Sequence, residues 1–142
     1  MQDMNDFSDL AKLDPRFSAK TYSFVEEVLE YANYIGMARA SDEGTPTAGH
    51  ITGQDLCYAA VEYATEQYGY MAREVLSKLG ILKTGDIGDV VYKMIESNYI
   101  AQSPEDDRAD FDNVFDLAEE LEARFHFTYS KDHKRARFDA PQ

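Results

Sequence analysis

Two groups of carboxylates have a spacing that could support acid–base chemistry or bind a hard cation. Glu26, Glu27 and Glu30 crowd one predicted helix, and Asp86 and Asp89 lie three residues apart on another. Paired carboxylates can exchange protons with a substrate or coordinate calcium and magnesium through oxygen. Acids are also common on the solvated face of a helix, so this spacing alone assigns no catalytic or metal role.

The other sequence patterns of metal and nucleophilic chemistry are missing. The three histidines, His50, His126 and His133, have no paired spacing, and Cys57 is the single cysteine. The chain contains no CxxC, HExxH, Glu-x-x-His, P-loop or GxSxG motif. We therefore predict no cofactor, no metal ion and no catalytic residue. A metal-dependent enzyme is kept as the second alternative function.

The charge balance narrows the classes of partner. The 142 residues carry 14 Lys and Arg against 27 Asp and Glu, a formal net charge of −13. Such a charge disfavours nonspecific attraction to nucleic acid or anionic membrane, and it permits a basic protein partner. The acidic start lacks the apolar core of a signal peptide, and no apolar run approaches the roughly 20 residues of a membrane span. We expect a cytoplasmic protein that is not bound to a membrane.

Hydrophobic spacing predicts a mainly α protein, a single compact domain of about five helices. We expect an N-terminal arm over 1–17, a helical domain over 18–129, and a basic tail or short second strand over 130–142. The first long helix should begin near Ser18, and Gly36 together with the polar run over 40–49 should end it and form an exposed, mobile loop.

Cap residues predict where the following helices begin and end. Thr52 should cap the second helix, with Asp55 three residues on, and Gly69 should end it. Gly80 should be the left-handed C-cap residue of the third helix, and Thr84 should cap the fourth. A last helix should start at Ser103-Pro104 and carry Phe111, Val114, Phe115, Ala118 and Leu121 on one face.

The third and fourth helices have the outline of a DNA-reading helix-turn-helix. The second of the two, however, carries Asp86, Asp89 and Glu96 against one base, Lys93. A recognition helix should present Arg, Lys, Asn or Gln near its N-terminus. DNA reading by this helix is therefore disfavoured.

The C-terminal segment keeps a nucleic-acid alternative open. Residues 124–129 alternate and are aromatic, and they predict either a β-hairpin with residues 135–138 or a disordered tail. A hairpin would complete a winged-helix-like outline. Its basic residues would then form a nucleic-acid-binding segment, a partner-binding tail or simply a solvated tail; they are Lys131, Lys134, Arg135 and Arg137.

Four motifs resemble a family of small bacterial conserved hypothetical proteins. They are a His-x-Thr-Gly-x-Asp-Leu opening over 50–56, a Tyr-Ala-Thr-Glu-Gln-Tyr-Gly centre over 63–69, Asp-Ile-Gly-Asp-Val-Val over 86–91, and Asp-Asp-Arg-Ala-Asp-Phe over 106–111. The resemblance covers about residues 14–117, and the chain departs from it in the 40–49 loop and the basic tail. It implies no activity, but it draws attention to Thr52, Gly69 and Gly88 among other positions.

These observations favour a cytoplasmic, non-enzymatic protein-interaction or regulatory module. It would bind a basic protein surface or a second copy of itself through exposed tyrosines and acids. The resemblance, together with the spacing of Asp86 and Asp89, implies its candidate functional patch: His50, Glu66, Gln67, Asp86, Asp89 and Arg108.

Overall fold

The computed structural model describes residues 7–43, 51–101 and 107–124, with residues 37–43 described for the backbone alone. Five α-helices follow one another along the chain: α1 (Ser8–Leu13), α2 (Ala19–Glu43), α3 (Gly53–Tyr68), α4 (Ala72–Lys78) and α5 (Thr84–Glu96). Single 3-10 turns cover Gly69–Met71 and Arg108–Phe111, and residues 117–124 are helical. These described ranges contain no strand, which confirms the mainly α prediction. The predicted hairpin lies outside them.

The core forms where α2, α3 and α5 pack against one another. Helices α2 and α3 contact each other, and Phe24 and Val28 of α2 and Ala60 and Ala64 of α3 are all buried. Helix α5 contributes an apolar stripe at helical spacing that is buried throughout. This stripe consists of Ile87, Val90, Val91 and Met94.

The N-terminal residues belong to this core. Phe7, Leu10 and Phe17 are each at most 2% exposed. The Phe7 ring lies 5.9 Å from that of Tyr22 and 5.0 Å from that of Tyr99, centroid to centroid. Helix α1 is thereby fixed against α2 and against the residues that follow α5.

Local cap signals at two helix ends are confirmed. The Thr52 hydroxyl accepts the Asp55 amide at 3.0 Å, and the Asp55 carboxylate accepts the Thr52 amide at 3.2 Å, a reciprocal capping box. After α4, Gly80 has φ +84°, and the Ile81 amide donates to the Leu76 carbonyl at 2.9 Å. This is the Schellman geometry that favours glycine.

Two predicted helix boundaries are wrong. Helix α2 does not end at Gly36 but continues to Glu43, since one glycine costs a helix only about 1 kcal/mol. Thr84 is not the N-cap of α5 but its first residue, after Lys83. The Thr84 hydroxyl instead accepts the Val114 amide at 3.2 Å, a tertiary contact that the local pattern could not reveal.

The single helix predicted to run through Phe111 and Leu121 is also wrong. Phe111 ends a 3-10 turn, Asn113 has φ +51°, and the helical residues are 117–124. The Asp116 side chain accepts the Glu119 amide at 3.0 Å, which places a helix start at Asp116. The predicted start at Ser103-Pro104 lies outside the described residues.

Among the described helices, none combines the length and the hydrophobicity that crossing a bilayer would require.

Candidate functional site

The N-terminus of α5 holds one buried carboxylate, that of Asp86. Its side chain is 5% exposed and accepts three hydrogen bonds. Two come from the backbone amides of Leu82 and Lys83, at 2.8 and 3.2 Å, and one from Arg16 Nη2 at 2.6 Å. Asp86 therefore caps its own helix and ties it to the N-terminal residues, because a carboxylate is favourable at the positive end of a helix.

Asp89 joins two arginines that are distant in the chain. Its Oδ2 accepts Arg16 Nη1 at 2.7 Å, and its Oδ1 accepts Arg108 Nη2 at 2.6 Å. Arg108 also donates to the Gly85 carbonyl at 2.8 Å and to Asp112 at 2.9 Å. Burial opposes ionisation of Asp89, but the hydrogen bonds from Arg108 and Arg16 outweigh it and hold its pKa below the usual value.

We refer to Arg16, Asp86, Asp89 and Arg108 as the Arg/Asp cluster. The guanidinium groups occupy the carboxylates that might otherwise accept a proton or bind a cation, so the cluster is better suited to holding elements together. It connects the residues before α2, the start of α5 and the Arg108–Phe111 turn. Arg16 is 49% exposed and Arg108 34%, and half-exposed pairs contribute about 0–1 kcal/mol each.

Gly88 lets the Arg108–Phe111 turn lie directly on α5. A Cβ atom at Gly88 would be 2.7 Å from the Cβ and Cγ of Phe111 and 2.9 Å from Nη1 of Arg108. Gly53 of α3 meets the other side of the turn, where its Cβ would be 2.8 Å from the Cβ of Asp110 and 3.0 Å from the Phe111 ring. The Phe111 side chain is 5% exposed. Two glycines from different helices thus leave the space that the Phe111 ring occupies.

The structure brings together only part of the predicted patch. Asp86, Asp89 and Arg108 meet in the Arg/Asp cluster. Glu66 and Gln67 are exposed near the C-terminal end of α3, away from that cluster. His50 and the basic residues of the tail lie outside the described residues. Arg16 was not among the predicted site residues, and no spacing signal points to it, because its carboxylate partners are 70 and 73 residues away.

Glu66 belongs instead to a second surface, formed by α2 and α3. The Tyr31 hydroxyl donates to Glu62 at 3.2 Å and to Glu66 at 3.3 Å. The Tyr63 hydroxyl donates to Glu27 at 2.7 Å. We call this surface the Glu/Tyr face, and it consists of Glu27, Glu30, Tyr31, Tyr34, Glu62, Tyr63 and Glu66.

Tyr31 and Tyr63 of the Glu/Tyr face are held in their neutral form. Burial, followed by the hydrogen bond and charge of Glu27, raises the pKa of Tyr63 to about 12. Burial and the carboxylates of Glu62 and Glu66 raise the pKa of Tyr31 as well. The two rings lie 5.4 Å apart, centroid to centroid. The hydroxyls therefore remain donors at neutral pH and fix the directions of the glutamates around them.

Nucleophilic catalysis by Cys57 and metal binding have no support in the part of the chain that the structure describes. Cys57 is fully buried, and this burial raises the pKa of its thiol to about 12, so it is a poor nucleophile. No group of three or more His, Cys, Asp or Glu side chains among the described residues could hold a metal ion.

Comparison with known proteins assigns no family. No family model matches the chain, and no curated protein or solved structure is significantly similar to it. The resemblance to small bacterial proteins therefore stays a prediction.

Proposed function

We propose that the protein is a non-enzymatic interaction module whose Glu/Tyr face binds a basic segment of a partner protein. One observation carries the proposal: carboxylates from two packed helices surround two tyrosine hydroxyls on one surface. The carboxylates are those of Glu27, Glu30, Glu62 and Glu66. The one described base in contact with them is Arg124, whose Nη1 lies 3.5 Å from Glu62.

The chemistry of this face favours lysine and arginine side chains. Separated carboxylates attract a row of cations, and the faces of Tyr31 and Tyr63 offer aromatic surface for cation–π contact. Tyr34 is 72% exposed and extends the aromatic area. Both helices pack on the core, so a partner would meet an ordered surface and little entropy would be lost on binding.

An extended partner fits this face better than a single cation. The carboxylates are divided between two tyrosine hydroxyls, with Glu62 and Glu66 at Tyr31 and Glu27 at Tyr63, and the described residues contain no group able to hold a metal ion. A chain with several Lys or Arg residues could meet them one after another. The net charge of −13 would add long-range attraction.

A second copy of the protein is an alternative partner, because its own tail would supply a basic segment. That segment consists of Lys131, Lys134, Arg135 and Arg137. We further propose a cytoplasmic location, since the one cysteine, Cys57, is a free thiol and the chain offers no disulfide.

The test is binding of a labelled peptide rich in Lys and Arg, measured by fluorescence anisotropy at increasing salt. A face variant would change the glutamates named above to Gln. A control variant of identical net charge would change exposed acids outside the face. These are Asp9→Asn, Glu74→Gln, Glu96→Gln and Glu119→Gln.

We expect saturable binding that weakens as salt screens the charges. Each exposed pair contributes about 0.2–1 kcal/mol, so the four substitutions of the face variant should together lower the affinity by about fourfold or more at low salt. The control variant should change by less than about threefold. Equal losses in the two variants would mean that net charge alone attracts the peptide, and the proposed site would be wrong. Absence of binding by the unaltered protein would also contradict the proposal.

A further inference from the structure

A groove that is separate from the Arg/Asp cluster and from the Glu/Tyr face lies between α2, α3 and α5. Its volume is about 290 Å³, close to the lower limit, about 300 Å³, of pockets that bind small organic ligands. Leu29 of α2, Leu56 of α3 and Val91 and Ile95 of α5 supply apolar walls. Walls from three helices enclose a ligand on several sides, so the groove suits a small molecule with a hydrocarbon body.

One border of the groove, where Thr52 and Gly53 begin α3, is acidic. Asp107 lines the groove itself, and Asp110 lies against Gly53. Asp55 sits beside Thr52, whose backbone amide it accepts at 3.2 Å. None of these three carboxylates forms an ion pair with another described residue, and the neighbouring base, Arg108, is bonded to Asp89 and Asp112.

The positive end of the α3 dipole lies at this border, but it does not cancel the attraction of the three carboxylates for a cation. A helix N-terminus carries about half a positive charge, against three full negative charges in its vicinity. The Thr52 hydroxyl is also already occupied by the Asp55 amide. Aromatic rings add to the preference, because Phe111 and Tyr92 line the same groove with centroids 6.4 Å apart.

We propose that this groove binds a small primary amine with an apolar body, such as an arylalkylamine. The hydrocarbon would lie against Leu29, Val91 and Ile95. The ammonium group would face the carboxylates of Asp107 and Asp110 beside the Phe111 ring. An amine of this kind is protonated at neutral pH, as the lysine side chain is with its pKa of about 10.4. This site is separate from the Glu/Tyr face and does not depend on the function proposed for that face.

Three probes of nearly equal shape separate charge from hydrophobic contact: phenylpropylamine, phenylpropanol and phenylpropanoate. Each is titrated into the full chain with isoleucine and valine methyl groups observed by NMR. The amine should shift the signals of Val91 and Ile95 saturably and bind at least about tenfold more tightly than the alcohol. The carboxylate should bind most weakly.

Variants locate the site without disturbing the core. Asp107→Asn keeps an acceptor for the Ala109 amide, which Asp107 now accepts at 3.0 Å, and should lower amine affinity about fivefold to tenfold with little effect on the alcohol. Ala101→Trp places a large ring at an exposed position of the groove and should abolish binding of both probes. Glu119→Gln removes one exposed charge elsewhere and should leave both affinities unchanged.

Several results would overturn the proposal. They are the absence of saturable amine binding, equal affinity for amine and alcohol, and amine binding that survives Ala101→Trp. Amine binding that weakens as protein concentration rises would indicate that a second copy covers the groove, and would also exclude an amine as its main occupant.

Discussion

Replacing Gly88 by alanine should destabilise the protein, although alanine is the better helix former. Gly88 lies inside α5, where alanine alone would gain about 1 kcal/mol. The new Cβ, however, would be 2.7 Å from the Cβ and Cγ of Phe111. The Cβ of Phe111 cannot rotate away, because it is attached to its own backbone. Either the turn moves off α5 or the contact is compressed.

The size of the effect follows from these opposing terms. Overpacking of this kind costs about 1–3 kcal/mol, and release of Phe111 would approach the cost of truncating a buried Phe, about 3–5 kcal/mol. After the helix gain of about 1 kcal/mol is subtracted, Gly88→Ala should lower the free energy of unfolding by about 0–2 kcal/mol if the contact is compressed and by about 2–4 kcal/mol if the turn moves off α5. At this chain length each kcal/mol should lower Tm by about 3–4 °C.

Gly85 provides a matched control on the same helix. Its Cβ would lie 3.4 Å from Oδ1 of Asp112 and 3.5 Å from Nη2 of Arg108, which is ordinary contact. Gly85→Ala should therefore be neutral or stabilise by up to about 1 kcal/mol. Urea unfolding followed by far-UV circular dichroism would measure both variants.

A double-mutant cycle identifies the clash partner. In a Phe111→Gly background neither the Cβ nor the Cγ of Phe111 remains, so Gly88→Ala should become neutral or stabilising, giving a coupling energy of about 1–3 kcal/mol. A Gly88→Ala variant as stable as the Gly85→Ala variant would refute the reasoning. So would an equal loss in the two backgrounds, since the destabilisation would then not involve Phe111.

Three shorter predictions concern buried or paired groups. The Tyr22 hydroxyl is buried with no hydrogen-bond partner among the described residues, so Tyr22→Phe should raise the free energy of unfolding by up to about 1 kcal/mol in thermal melts; a clear loss would reveal a partner. Cys57 should react with an aromatic disulfide reagent only after unfolding in urea, because burial raises its thiol pKa to about 12; fast reaction of the native protein would contradict this. Burial opposes ionisation of Asp89, but hydrogen bonds from Arg108 and Arg16 lower its folded-state pKa, so its contribution to stability is present above pH of about 4 and is lost as pH falls further. In Asp89→Asn the free energy of unfolding, measured by urea titration at each pH, should fall less steeply below pH of about 4. An unchanged pH profile would count against the pairing.

Short-range patterns predicted the helix ends that depend only on neighbouring residues. The capping box of Thr52 with Asp55 and the turn at Gly80 with Ile81 each require hydrogen bonds within a few positions, and both are present. The prediction that Thr84 is an N-cap failed for a long-range reason. Its hydroxyl accepts the amide of Val114, which is 30 residues away. Gly36 failed as a stop signal because one glycine opposes a helix by only about 1 kcal/mol, and α2 continues through it to Glu43.

The candidate sites were predictable only where their members share one element. Asp86 and Asp89 lie on one helix, and their spacing identified them as a pair. Spacing could not show that Arg16 and Arg108 approach this pair from both sides. Nor could it separate Glu66 from them, because that depends on which face of α3 meets α2.

The sequence by itself determined the acidic charge, the helical class, the caps at Thr52 and Gly80 and the apolar stripe of α5, since each is a property of composition or of neighbouring residues. The tertiary structure alone decided that Phe111 sits between Gly53 and Gly88, that Asp89 bridges two distant arginines, and that a groove opens between three helices. These features depend on how rigid helices are placed relative to one another, and that placement is set by side-chain packing across the whole core.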